Sequence, residues 1–280
     1  ARYVVVELEF LPWLADIEDT APDLTPVYVP GPTLSPDDIP DFTRIQIRSF
    51  NELMDAQDTV IESKVNYRDT GMIMFTSGTT GPSKGVLMPN AHCYLFGYGA
   101  GRAKSLTDQD RMFICMPFFH AMGLTIQFNS CLINGTPIHI VRRFSATTWL
   151  DDVRACKATV TYGLGVIPEF IFRQPQTPQD QDNDLRLMLA VPLGEEWGAA
   201  FEERFGLRLL QAYGMTECNL PAFGDLKDPM MPGCAGYIMD DFFEVQIVDS
   251  ETDEPLGSDE VGEIVVRPKR ASCFMAGYFN

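Results

Sequence analysis

From Arg111 to Ala212 the chain alternates short apolar runs with helix-patterned stretches. No other feature constrains the fold as much. Strand Arg111–Cys115 is followed by helix Gly123–Leu132, strand Pro137–Val141 by helix Ala146–Cys156, and strand Ala158–Tyr162 by helix Ile167–Arg173. After a polar loop over 174–184, strand Leu185–Ala190 leads to helix Glu195–Phe205 and strand Leu207–Ala212. Each strand is too short to cover its own faces, and each helix is long enough to carry the chain back over the sheet. The pattern predicts an α/β fold with a doubly wound, mainly parallel sheet flanked by helices.

The flanking segments read differently. Tyr3–Leu8 is expected as a strand, and Phe10–Asp19 as a helix with Leu11, Leu14 and Ile17 on one face. Pro26–Pro30 reads as a short extended piece and 31–45 as a Pro- and Asp-rich loop. Gly71–Thr76 is an apolar strand, and a helix is expected from Pro89-Asn90 to about Arg102. In the tail, Phe242–Asp249 and Glu263–Arg267 flank an acidic turn, which predicts a small antiparallel β unit. The expected organisation is a lead-in over 1–68, an α/β unit over 69–231 and a β unit over 232–280.

Charge and cysteine usage narrow the function. Lys plus Arg number 21 against 39 Asp plus Glu, a net charge of −18. Binding to nucleic acid or to an anionic membrane needs basic surface, so neither partner is expected. No apolar run is long enough to span a bilayer, and Glu7 and Glu9 interrupt any signal peptide. The seven cysteines form no C-x-x-C pair, and His92, His120 and His139 lack metal-ligand spacing. Scattered thiols in a reducing compartment, the cytoplasm, are the expectation.

The densest chemical signal is Thr76-Ser77-Gly78-Thr79-Thr80-Gly81-Pro82-Ser83-Lys84-Gly85. Glycines let a backbone approach an anion closely, hydroxyls can donate to phosphate oxygens, and Lys84 brings positive charge. A Walker A loop would place Gly directly before Lys, whereas Ser83 stands there. A second signal is Tyr213-Gly214-Met215-Thr216-Glu217 at the end of a predicted strand. A carboxylate beside hydroxyl and phosphate oxygens suits a hard cation. The same residues are equally readable as a helix start, with Thr216 as cap and Glu217 in the first turn.

The loop resembles the nucleotide loop of adenylate-forming enzymes, the acyl- and aryl-CoA synthetases and their relatives, with Pro82-Ser83 where many have x-Pro. Tyr213–Glu217 resembles that family's Y-G-x-T-E motif, and Pro117-Phe118-Phe119-His120-Ala121-Met122-Gly123 its P-x-F-H-x-x-G stretch. Leu189–Leu193 sits where the family has an adenine strip, although Val191 replaces a small residue. Pro232–Gly236 and Val261–Ile264 resemble mostly structural family turns. The likeness runs from about Asp69 to Asn280 and looks nearest to bacterial crotonobetaine/carnitine-CoA ligases.

This resemblance implies ATP-dependent activation of a small carboxylic acid as an acyl-adenylate, with release of pyrophosphate and then transfer to coenzyme A. It implies Thr76, Lys84, His120 and Glu217 as catalytic residues, with Glu217 as ligand to Mg²⁺. Nucleotide contacts are implied from Thr76, Ser77, Gly78, Thr79, Thr80, Gly81, Lys84, Val191, Pro192, Gln211, Ala212, Tyr213, Gly214, Met215 and Thr216. Tyr213 is expected to pack on the adenine and Thr216 to bond a phosphate. The family's T-G-D aspartate and its smaller C-terminal domain with a catalytic lysine lie beyond Asn280, so the chain reads as the middle of a longer enzyme. Alone, it is expected to bind nucleotide weakly and turn over poorly. An acyl-AMP ligase with another acceptor, or a non-catalytic nucleotide-binding domain, are the alternatives.

Overall fold

The computed structural model describes residues 2–31, 35–57, 59, 60, 62–76, 82–229, 231 and 233–279. Contacts divide the chain into two units, Ala1–Lys64 and Val65–Asn280.

The first unit contains β1 (Val4–Val5), α1 (Leu11–Ile17), β2 (Val27–Val29), β3 (Ile47–Ser49) and α2 (Asn51–Met54). Its strands pair in parallel in the order β1-β2-β3. Leu11, Leu24, Val27, Val29 and Ile45 form its core. The expected first strand shrinks to two residues because a 3-10 turn, Leu8–Phe10, takes over its end. The strand β3 was not foreseen, since Ile47-Arg48-Ser49 carries no apolar alternation. Glu18 pins this unit: its carboxylate accepts the N–H groups of Thr43, Arg44 and Ile45 at 3.0, 2.6 and 2.8 Å. Those bonds favour the charged form and hold its carboxyl down to about 2.

The second unit opens with a hairpin, β4 (Thr70–Thr76) and β5 (Lys84–Pro89), followed by α3 (Asn90–Ala103). Then comes β6 (Met112–Ile114), a π-helical stretch Met122–Phe128, α4 (Asn129–Asn134) and β7 (Ile138–Ile140). The series continues through α5 (Trp149–Ala155), β8 (Val160–Leu164), α6 (Ile167–Phe172), β9 (Leu187–Val191), α7 (Gly198–Phe205) and β10 (Arg208–Leu210). The sheet order is β10-β9-β8-β6-β7, and every pairing is parallel.

Successive strand residues face opposite layers. Met112 and Ile114 of β6 pack with Phe96, Ala100, Met122 and Ile126 on one face. Phe113 and Cys115 pack with Trp149, Val153, Phe201 and Phe205 on the other. Helices therefore cover both faces, as a sheet with apolar residues on both sides requires.

Where the rhythm ends, the chain changes sheet. The predicted strand Leu207–Ala212 breaks at Gln211: β10 stays in the parallel sheet, and β11 (Ala212–Met215) joins an antiparallel one with β12 (Asn219–Phe223) and β13 (Tyr237–Ile238). The expected antiparallel tail is β14 (Phe243–Val248) on β15 (Glu263–Pro268). A last strand, β16 (Gly277–Phe279), returns to pair with β5. Among the described residues no helix is long and apolar enough to cross a membrane.

Candidate functional site

Thr76 and Lys84 are cross-strand partners where the chain leaves β4 and enters β5, at the connected end of the hairpin. Sequence distance of eight thus becomes direct adjacency, and both side chains reach the same cavity. Five predicted nucleotide contacts, Ser77, Gly78, Thr79, Thr80 and Gly81, lie outside the described residues.

His120 stands on a rim built by close packing. A Cβ at Gly123 would sit 2.3 Å from the carbonyl oxygen of Pro117, so only glycine lets the π-helical stretch start this near Met116-Pro117. That packing aims His120, whose Nδ1 accepts the Met122 N–H at 3.0 Å. Nε2 then carries the ring hydrogen. Desolvation pushes the His120 pKa down, which favours the neutral ring.

Thr216 and Glu217 occupy the turn between β11 and β12, so the helix-start reading fails. Cys218 N–H closes the turn on the carbonyl of Met215 at 3.2 Å. Gly214 makes it possible: a Cβ there would lie 2.1 Å from the carbonyl oxygen of Asn219. Tyr278 of β16 donates its hydroxyl to Oε1 of Glu217 at 3.1 Å, and Lys84 Nζ lies 5.2 Å from the centre of the Tyr278 ring.

These groups surround one cavity of about 510 Å³. Its polar lining is Thr76, Lys84, His120, Thr216, Glu217 and Tyr278. Its apolar lining includes Phe96, Met122, Ile126, Leu189 and Leu220, all buried, and the half-buried Leu164. A cation and hydroxyls suit an anion, and the buried apolar side chains suit an uncharged group. Among the described residues no three His, Cys, Asp or Glu cluster to hold a metal. Glu217 alone, completed by phosphate oxygens and water, is a donor set that magnesium accepts.

The remaining predicted contacts divide. Val191, Ala212, Gly214 and Met215 line the cavity with Thr216, whereas Pro192 and Tyr213 do not. The β11 pairing is irregular between Tyr213 and Met215, so Met215 lines the cavity although Tyr213 does not. Gln211 lines a smaller adjoining cavity with Leu193, Met231 and Tyr237. Tyr278 was missed: Gly277-Tyr278-Phe279 served only as a landmark near the chain end, and no local pattern reveals a partner 61 residues earlier.

A model of the AMP-binding enzyme family matches residues 13–279. The chain belongs to that family. Among curated proteins it is 30% identical over 272 residues to the crotonobetaine/carnitine–CoA ligase of Salmonella agona (strain SL483), covering 94% of this chain and 50% of the relative. The match to the Salmonella typhi protein of the same name is 30% over 271 residues. The chain thus spans about half the length of the curated relatives it matches. In fold, this AMP-binding chain is similar to ATP-bound MatB from Rhodopseudomonas palustris, with a TM-score of 0.81 at 23% identity over 99% of this chain and 52% of that one. It is likewise similar to the anthranilate CoA ligase AuaEII bound to anthranoyl-AMP, with a TM-score of 0.80 at 20% identity over 99% and 52%.

Proposed function

We propose that this chain forms the carboxylate- and nucleotide-binding part of an AMP-forming acyl-CoA ligase that acts on a carboxylate with an uncharged, apolar acyl group. One observation carries the reading: a single cavity is lined both by Lys84 with hydroxyl side chains and by buried apolar side chains. A nucleoside triphosphate fits the first and an acyl chain the second. The family and the acyl-CoA ligase relatives support the same reaction class.

In the first half-reaction a carboxylate oxygen attacks the α-phosphorus, and the bond to the bridging oxygen breaks. Pyrophosphate leaves with the electron pair, and no proton is transferred. Alignment and charge neutralisation dominate such a displacement. Lys84 would offset phosphate charge, while Thr76 and Thr216 would donate to phosphate oxygens. His120 would donate Nε2–H to the acid's carboxylate and orient it towards the phosphorus. Glu217 would hold magnesium, which neutralises phosphate charge when bound. Ser77 to Gly81 retain the phosphate-cradling role expected from their sequence. In the second half-reaction the coenzyme A sulfur attacks the acyl carbon, AMP leaves with the electron pair, and the thiol proton is released. The lysine-bearing smaller domain implied by the family resemblance would complete that step.

Carboxylate-dependent exchange of labelled pyrophosphate into ATP tests the proposal. The expected result is exchange that depends on an apolar acid, with AMP as the adenine product. Formation of ADP, or exchange indifferent to any carboxylate, would overturn it.

A further inference from the structure

His92 belongs to none of the motifs, yet both of its ring nitrogens meet backbone carbonyls, one of them in the turn that carries Glu217. It lies in the first turn of α3 and is completely buried. Its Nε2 is 2.8 Å from the carbonyl oxygen of Thr216, and its Nδ1 is 2.7 Å from that of Cys273. The first carbonyl belongs to the turn that carries Thr216 and Glu217. The second opens the segment that runs into β16 and Tyr278. Met275 in that segment donates its N–H to the carbonyl of Glu217 at 3.0 Å.

Asn219 completes the cluster from the other side of the turn. Its backbone is left-handed, with φ of 72°, a conformation that asparagine tolerates better than most residues. Its Nδ2 donates to the carbonyl of His92 at 3.0 Å, and its Oδ1 accepts the Leu220 N–H at 3.0 Å. One imidazole therefore touches both stretches that meet at Glu217, from positions 124 and 181 residues away. A neutral imidazole has one N–H to give, and an apolar side chain in the same space would leave an inward-facing carbonyl without that donor.

We propose that His92 is a positioning residue: through Nε2 it fixes the Thr216 carbonyl and thereby sets where the Thr216 hydroxyl and the Glu217 carboxylate stand. The role rests on the reading of the cavity as a nucleotide site. It predicts a selective defect. Contacts to phosphate and magnesium suffer, whereas the nucleoside part of the site, built from other residues, does not.

Two near-isosteric variants separate positioning from packing. Glutamine keeps a donor near the Nε2 position, and asparagine keeps one near Nδ1. Calorimetric titration of the full chain with Mg·ATP and with adenosine, alongside thermal melts, supplies the test. H92N is expected to weaken Mg·ATP about tenfold, the scale of one lost hydrogen bond, and to leave adenosine within about twofold. H92Q is expected to stay within about threefold for both ligands. Equal loss of Mg·ATP in the two variants, or parallel loss of both ligands, would reduce His92 to a structural residue and overturn the proposal. If the unaltered chain binds neither ligand, the nucleotide reading of the cavity itself falls, whatever the variants do.

Discussion

The hydroxyl of Tyr278 donates a hydrogen bond to Oε1 of Glu217 at 3.1 Å, and the same ring lies under Lys84. One side chain thus touches both the cation that lines the cavity and the carboxylate assigned to the metal. Y278F keeps the ring and removes the donor. Loss of one hydrogen bond to a carboxylate at a partly exposed site should cost Mg·ATP affinity about fivefold, with little change in melting temperature. Titration with Mg·ATP decides it, and unchanged affinity would mean that the contact does not order Glu217.

Gly214 is fixed by space. The neighbour of its missing Cβ is the backbone carbonyl of Asn219, 2.1 Å away, which cannot swing aside. G214A must push β11 from β12 and displace the turn bearing Thr216 and Glu217. A loss of about 2 kcal/mol is expected, typical of overpacking. Denaturant melts measure it; a variant as stable as the parent, with Mg·ATP binding intact, would contradict the described turn.

The apolar lining of the cavity makes a specificity prediction. Ile126 is buried in its wall and packs with Phe96, Met122 and Leu189. I126F should shorten the accepted acid. Each excluded methylene in an apolar pocket is worth roughly tenfold in kcat/KM, so the longest substrates should fall off first while the shortest are retained. Pyrophosphate exchange across a series of straight-chain acids would show this. A uniform loss for all lengths would place the acyl group elsewhere.

Lys104 gives a pH signature. Its ammonium group is buried, bonded to the carbonyl of Ala100 and the hydroxyl of Tyr162. Burial pushes its pKa from 10.5 down to about 7. Between those values the unfolded chain binds more protons than the folded one, so stability rises with pH across that window. The cost of burying the amine is fully present below about pH 7 and gone above about pH 10.5. K104M should flatten this slope. Melts of both proteins at pH 7 and pH 10 check it, and parallel profiles would refute a neutralised Lys104.

The sequence by itself determined what local pattern can carry. Alternating apolar runs specified the doubly wound parallel sheet. Clustered residue types brought Thr76, Lys84, Thr216 and Glu217 forward as site candidates, the family resemblance added His120, and these line one cavity. Periodicity failed where pairing is non-local. In β5, Gly85 and Pro89 mask a strand that β4 and β16 stabilise from either side. At Gln211 a single strand-like stretch, Leu207–Ala212, conceals the exchange of one sheet for another. Only the tertiary structure decided that Tyr278 reaches Glu217 and that His92 is buried between two carbonyls. Those outcomes depend on hydrogen-bond partners from 61 to 181 residues apart, and no window of neighbouring residues encodes such a meeting.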